Sequence, residues 1–330
     1  MSKDKGGAEI PLEVFKAFRL ELEGIERIRR LYKIYSTNGI FALKPVEPSS
    51  EKLFFAHRVI EYLRRRGFFG AVPYEKTIFG EPIYIKDGTG YVLTKWVEGR
   101  ELNFDRTGDL LAAAGAMGEL HRLGEGFSPG KGQWTRSLLG RWLSLWARAI
   151  EEMRLCARLE PYLEQLIQQA ESALTLLSLN GDYHSQVQRA ELKGNICHRD
   201  LVSHNFIQDY LGNVHIIDFE YCALEIPAAD IGRFLRKALP QQGWDWSLAK
   251  DILRTYEESY PLMAGGKQML LAYLTFPHEW WRLARRFSYH TGEPEHLEKV
   301  LTTLIAQDGD RKAFLQEMSG EFMRNGRIES

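Results

Sequence analysis

The hydrophobic pattern of this chain changes character near Gly99, from mainly strand-like to mainly helical, and that change limits the folds open to it. Before Gly99, runs of alternating and β-branched residues dominate; after it, apolar residues recur at helical spacing. Pro11 to Glu23 reads as a short amphipathic helix. Arg27 to Ser36, with Ile28, Leu31 and Ile34, then reads as a strand. Thr37-Asn38-Gly39 is a tight-turn signal, and Ile40 to Lys44 is a second strand ending on a lysine. Ser49-Ser50 is placed to cap a helix from Glu51 to Arg66 that Gly67 closes. Val72 to Phe79 and Glu81 to Ile85 read as strands about a Gly80 turn, and Asp87-Gly88 turns the chain into Tyr91 to Val97. The expected order is ββαβββ.

Beyond Gly99, Gly108 to Leu123 is helical and Gly124 to Gly132 is a loop. Leu138 to Leu179 supplies two long helices, with Trp142 and Trp146 at apolar positions. A short β-rich island between Ile196 and Tyr221 interrupts the helices. The rest is mostly helical, punctuated by Pro227, Pro240, Pro261 and Pro277. The fold class this implies is α+β, with a small β-rich part over 1–97 and a larger, mainly helical part over 98–330. A chain of 330 residues, 44% of them hydrophobic, is long for one compact domain, which agrees with that division.

Charge and cysteine content exclude several function classes. The formal net charge is −1, so no global field gathers nucleic acid or an anionic membrane. Arg64-Arg65-Arg66 and Arg285-Arg286 read as solvated helix faces. The three cysteines, Cys156, Cys197 and Cys222, form no CxxC pair; this argues against a disulfide framework and fits a reducing compartment. Apolar runs such as Leu110 to Ala114 are too short to span a bilayer. The expected location is cytoplasmic.

The chemistry concentrates between Ile196 and Glu220. Asp200 and Asp218 each border a short apolar run of buried-strand type, and Asn205 directly precedes Phe206-Ile207. Three oxygen-bearing side chains at neighbouring strand ends suit a hard cation such as Mg²⁺.

His198-x-Asp200-x₄-Asn205, followed eighteen residues after Asp200 by Asp218-Phe219, resembles the catalytic and metal-binding loops of kinase-fold phosphotransferases. Phe41 to Lys44, Tyr91 to Glu101 and Leu274 to Trp281 are similar to segments of the spore-coat CotS group within that fold. The resemblance runs from about residue 25 to 295. It implies a bilobal protein-kinase-like fold, with an antiparallel-sheet N-lobe and a helical C-lobe, that uses ATP and Mg²⁺. By resemblance, Asp200 is the catalytic base, and Asn205 and Asp218 hold the metal. Lys44 pairs the nucleotide phosphates, Thr94 closes the adenine pocket, and the backbone of Lys95 and Val97 meets adenine. His198 packs the loop. Lys44 also needs a carboxylate partner on the following helix. Taking Leu53, Ala56, Ile60 and Leu63 as its buried face, Glu61 lies at the margin and Glu51 points away, so Glu61 is the expected partner. The implied acceptor is a small-molecule hydroxyl or a spore protein, and the spore coat is a second expected location.

The chain departs from the pattern in three places. Ser36-Thr37-Asn38-Gly39 stands where a glycine-rich loop is usual. Val202-Ser203-His204 replaces His-Pro-Gly, and Glu220 follows Asp218-Phe219 where protein kinases have glycine. No activation segment ending in Ala-Pro-Glu follows Asp218, which favours a small acceptor. A metal hydrolase using His198, Asp200, His204 and Asp218 is the competing enzyme reading. A non-catalytic coat protein is the competing structural one. His121 reads as a packing histidine and Asp230 as a support for the catalytic loop. Trp134, Trp142 and Trp146 read mostly as core, with one or two of them candidates for lining the acceptor cleft.

Overall fold

The computed structural model of the chain describes residues 10–47, 51–130, 137–178, 182–262, 264–289 and 291–325. The expected cap Ser49-Ser50 and Trp134 lie outside these residues. The chain divides into two compact units. One contains residues 1–100, 129–134 and 207–221; the other contains 101–128, 135–206 and 222–330.

The first unit is built on a five-stranded antiparallel sheet. In chain order its elements are α1 (Leu12–Ala17), β1 (Leu22–Ile28), β2 (Leu31–Ser36), β3 (Gly39–Val46), α2 (Glu51–Arg65), β4 (Tyr84–Lys86), β5 (Thr89–Lys95) and β6 (Gly99–Glu101). The sheet order is β1-β2-β3-β5-β4. The expected strand over Arg27 to Ser36 is in fact the end of one strand and the whole of the next. Ile28 pairs with Leu31 around a two-residue turn, and Arg29 takes a left-handed φ of 54°. A turn made by arginine, without glycine or asparagine, leaves no composition signal. By contrast, Asp87 and Gly88 both have positive φ, 49° and 76°, as a tight β4–β5 hairpin requires.

The expected strand over Val72 to Phe79 is mostly irregular. Tyr74 makes a single bridge to Thr94, and Thr77 Oγ1 accepts the backbone N–H groups of Phe79 and Glu81 in a turn. Pro73 has no N–H to donate to a ladder. One face of the sheet carries Ile34, Phe41, Leu43, Tyr91 and Leu93 against Val14, Phe15 and Phe18 of the α1 segment. The other face packs Val92 against Leu53 of α2. Gly67, with φ 95°, ends α2 as expected, and the Phe68 N–H returns to the Leu63 carbonyl.

A later stretch of chain completes this unit. Its strands are β8 (Phe206–Asp209) and β9 (Val214–Ile216). The Ile216 N–H donates to the Gly70 carbonyl at 2.9 Å, and Ala71 bridges Ile216 in parallel.

The second unit is helical: α3 (Thr107–Gly124), α4 (Trp142–Arg154), α5 (Leu163–Ser178), α6 (Asp182–Lys193), α7 (Pro227–Ala238), α8 (Trp246–Glu257), α9 (Ala264–Thr275), α10 (His278–Ser288) and α11 (Pro294–Asn325). Between α6 and α7 the short strands β7 (Ile196–Cys197) and β10 (Ala223–Leu224) pair antiparallel. Pro227 opens α7, where its missing N–H is no loss. Helix α3 packs on α8, and α9 on α5 and α7. Gly118 permits the α3–α8 approach, since a Cβ there would lie 2.5 Å from the Tyr256 carbonyl. Trp142 and Trp146 are buried as expected, and Trp146 stacks on Phe276. All three cysteines are buried, and none forms a disulfide. Among the described residues no helix is long and apolar enough to cross a membrane.

Candidate active site

In the first unit, strand alternation sets the position of Lys44. Phe41 and Leu43 fill the α1-facing core, so Ala42 and Lys44 lie on the opposite face, paired across β5 with Thr94 and Val92. From there the Lys44 ammonium donates to both carboxylate oxygens of Asp218, at 2.9 and 2.8 Å, across 174 residues of sequence. A second carboxylate, Glu220, lies 2.9 Å from the same nitrogen. Burial acts to lower the Lys44 pKa, but the charges of Asp218 and Glu220 outweigh it and hold the ammonium above the usual lysine range. Asp218 has a left-handed φ of 66°, a conformation that costs a non-glycine residue energy and clusters at functional sites.

The expected Lys44–Glu61 pair is not formed: among the described residues the carboxylates paired with Lys44 are Asp218 and Glu220. Helix α2 buries Phe55 and Val59 as well as Leu53, Ala56, Ile60 and Leu63, which turns its core face further from Glu61. Glu61 instead acts on His57, one turn earlier. Glu220 was visible in the sequence only as a departure from glycine two residues after Asp218. The acidic residue type at that place was the available signal. Thr94 and Lys95 end β5, Lys95 opposite Phe41, and Val97 follows in non-strand conformation; the Trp96 N–H donates to the Ile40 carbonyl.

In the second unit, β7 delivers His198, Arg199 and Asp200 into a loop. Asn205 is 2% exposed and donates from Nδ2 to the Asp200 carbonyl at 2.8 Å and to Asp200 Oδ2 at 3.2 Å. That leaves the Asn205 amide oxygen as a neutral hard donor. His198 is fully buried, and its Nδ1 accepts the Asp200 N–H at 3.3 Å.

Asp230, in the first turn of α7, holds this loop from beneath. Its carboxylate accepts the N–H groups of His198 at 2.5 Å and Arg199 at 3.0 Å, and also Arg233 at 3.0 Å. His121 Nε2 approaches it at 3.4 Å, while His121 Nδ1 meets the Tyr256 hydroxyl at 2.7 Å. Burial alone would raise the Asp230 pKa; the His121 hydrogen bond and the Arg233 charge instead hold it at about 2. Glu225 is a second buried hub, accepting from Arg199 Nε at 3.1 Å, Arg233 at 2.9 Å and the indole N–H of Trp142 at 3.1 Å. This contact joins α4 to the loop, and Glu225 had no sequence signal of its own.

Among the described residues, the cluster with metal-ligand spacing is His121, Cys197 and Asp230, not the hydrolase set of His198, Asp200, His204 and Asp218. His121 and Asp230 are engaged in the hydrogen bonds just given, and burial pushes the Cys197 thiol well above its ordinary value, away from the thiolate that a metal needs.

Residues 24–265 match the phosphotransferase enzyme family. Over 311 residues the chain is 20% identical to spore coat protein S of Bacillus subtilis (strain 168), covering 88% of this chain and 87% of that one. A crystal structure of an aminoglycoside phosphotransferase from Alicyclobacillus acidocaldarius superposes with a TM-score of 0.85 at 20% identity, covering 97% of this chain and 98% of the other. An amicoumacin kinase solved with AMP-PNP, Ca²⁺ and Ami gives 0.58 at 14% identity over 92% of each chain. Spectinomycin phosphotransferase with ADP and spectinomycin gives 0.60 at 12%, over 92% and 97%.

Proposed function

The chain belongs to the phosphotransferase enzyme family, and on that premise we propose that it transfers the γ-phosphoryl group of ATP to a hydroxyl of a small molecule. The observation that carries this reading is the two-oxygen grip of Asp218 on Lys44. An ammonium and a carboxylate so placed are the two groups that phosphate oxygens and their cation would each engage.

The donor chemistry fits Mg²⁺. Asp218 offers carboxylate oxygens, Asn205 an amide oxygen, and both are hard ligands. Bound Mg²⁺ supplies neutralisation of phosphate charge. Lys44 then binds phosphate oxygens, while Thr94 and the backbone of Lys95 and Val97 receive adenine. Asp200 accepts the proton of the acceptor hydroxyl as its oxygen bonds to phosphorus and the bond to the ADP oxygen breaks. The Asn205 amide orients the Asp200 carboxylate for that step, and Asp230 fixes the loop backbone.

Two measurements test this. Mg-ATP should raise the melting temperature of the wild type and not of Asp218→Ala; at 100 times Kd the stabilisation is about 2.7 kcal/mol. Label from γ-labelled ATP should reach an acceptor pool of sugars and amino alcohols, and Asp200→Asn should slow it by about 10²- to 10⁴-fold. Transfer untouched by that substitution removes Asp200 from the role. The likeness to spore coat protein S favours a second reading, a coat component that keeps the fold without catalysis. Absence of any Asp218-dependent response to Mg-ATP would select it.

A further inference from the structure

In the second unit the ends of α3 and α6 and the start of α7 border a cavity of about 220 Å³ that the phosphotransfer reading does not use. Its walls are tied together by backbone and side chain. The Gly126 N–H donates to the Lys193 carbonyl, joining the chain after α3 to the end of α6. Gly194, with φ 59°, lets these segments meet, since a Cβ there would overlap the Phe127 carbonyl. Glu125 Oε1 accepts the Lys193 ammonium at 2.7 Å and the Tyr260 hydroxyl at 3.0 Å, and that hydroxyl accepts from Asn195 Nδ2 at 3.1 Å.

The lining is unbalanced in charge. Three bases, Arg122, Arg189 and Lys193, stand against one acid, Glu125, which Lys193 already occupies. Arg122 makes an exposed ion pair with Glu119 at 3.8 Å, and Arg189 makes no hydrogen bond or ion pair among the described residues. Ile226, Pro227 and Leu262 supply an apolar floor. A concave apolar surface with uncommitted guanidiniums at its edge suits an organic anion, and a volume below the roughly 300–1,000 Å³ of sites for drug-sized ligands limits it to a small one. Strand β7 separates the cavity from the loop of His198 to Asp200: Asn195, on the lining, precedes the strand, and Asp200 lies beyond it.

We propose that this cavity binds a small organic anion, a carboxylate or phosphate on a hydrocarbon body, at a site separate from that of phosphoryl transfer. Arg122 and Arg189 receive the oxyanion through their planar, directional donors, and the body lies on Ile226, Pro227 and Leu262. The site does not depend on the phosphotransfer reading.

The test titrates the full-length protein calorimetrically with benzoate, phenyl phosphate and the neutral benzamide. At least one of the two anions should bind about tenfold or more tightly than benzamide, the ratio expected of a charged hydrogen bond. Arg189→Gln and Arg122→Gln, both at exposed positions, should keep the wild-type melting temperature and each weaken that anion by a similar factor. The same titrations at saturating Mg-ADP should show no displacement of the anion. Equal affinity for benzamide, no binding of either anion, or binding indifferent to both substitutions overturns the proposal. Displacement by Mg-ADP also overturns it, and assigns the anion to the nucleotide phosphates. Failure of Mg-ADP to bind counts against phosphotransfer alone and leaves this site as it stands.

Discussion

Asp218 and Asp230 are both carboxylate partners of basic side chains, yet they are built differently. Asp230 is 0% exposed and saturated with donors from two backbone amides, Arg233 and His121. The Asp218 side chain keeps 29% of its exposure, sits on a left-handed backbone, and faces one ammonium. A carboxylate whose every lone pair is used holds the chain in place. One that shares a half-exposed lysine with Glu220 can exchange that partner for a cation or phosphate at small cost. The contrast separates a residue that builds the His198–Asp200 loop from one proposed to act in the reaction.

Substitution gives the largest separation. Asp230→Ala should cost about 3–5 kcal/mol in denaturant unfolding, because it leaves two loop amides without an acceptor and takes away one of the two carboxylates that pair with Arg233. Asp218→Ala should cost less than about 1 kcal/mol and remove the Mg-ATP response instead. Equal losses of stability at the two sites would break the comparison. Acid titration sharpens it. The folded-state pKa of Asp230 is depressed to about 2, so its stabilisation is complete above the unfolded carboxylate value and fades as pH falls towards 2. Stability measured from pH 5 to pH 2 should decline, and Asp230→Asn should flatten part of that decline.

A smaller effect is expected at the Glu225 hub. Trp142→Phe removes one indole donor and should cost about 1 kcal/mol, read by thermal unfolding, because Arg199 and Arg233 still satisfy the carboxylate. The smallest is Glu220→Gln, within about 1 kcal/mol of stability. Its readout is the Lys44 ammonium, whose pKa should fall when one of the two charges raising it is removed. NMR of the lysine side chain measures this, and an unmoved Lys44 would leave Asp218 as its sole effective partner.

Where a residue type carried its own geometry, the sequence was sufficient. Asp87-Gly88 and Gly67 announced the hairpin and the helix end, and Ile40 to Lys44 read as a strand. The spacing of His198, Asp200, Asn205 and Asp218 pointed to the loop. Arg29 turned the chain with no glycine to mark it, and Pro73 left a β-rich segment without a ladder. Glu61 and Glu220 show the deeper limit. Helical periodicity can rank residues around α2, but which carboxylate reaches Lys44 depends on a segment more than 150 residues later, and local pattern does not encode that distance.

The return of Ile207–Tyr221 to the first unit has a consequence for how the protein is made. A ribosome releases residues 1–100 long before the strand that satisfies the Gly70 carbonyl and the carboxylates that neutralise Lys44. The emerging amino-terminal unit must wait, incomplete, through more than a hundred further residues of translation. A fragment ending at Arg100 would remain in that waiting state.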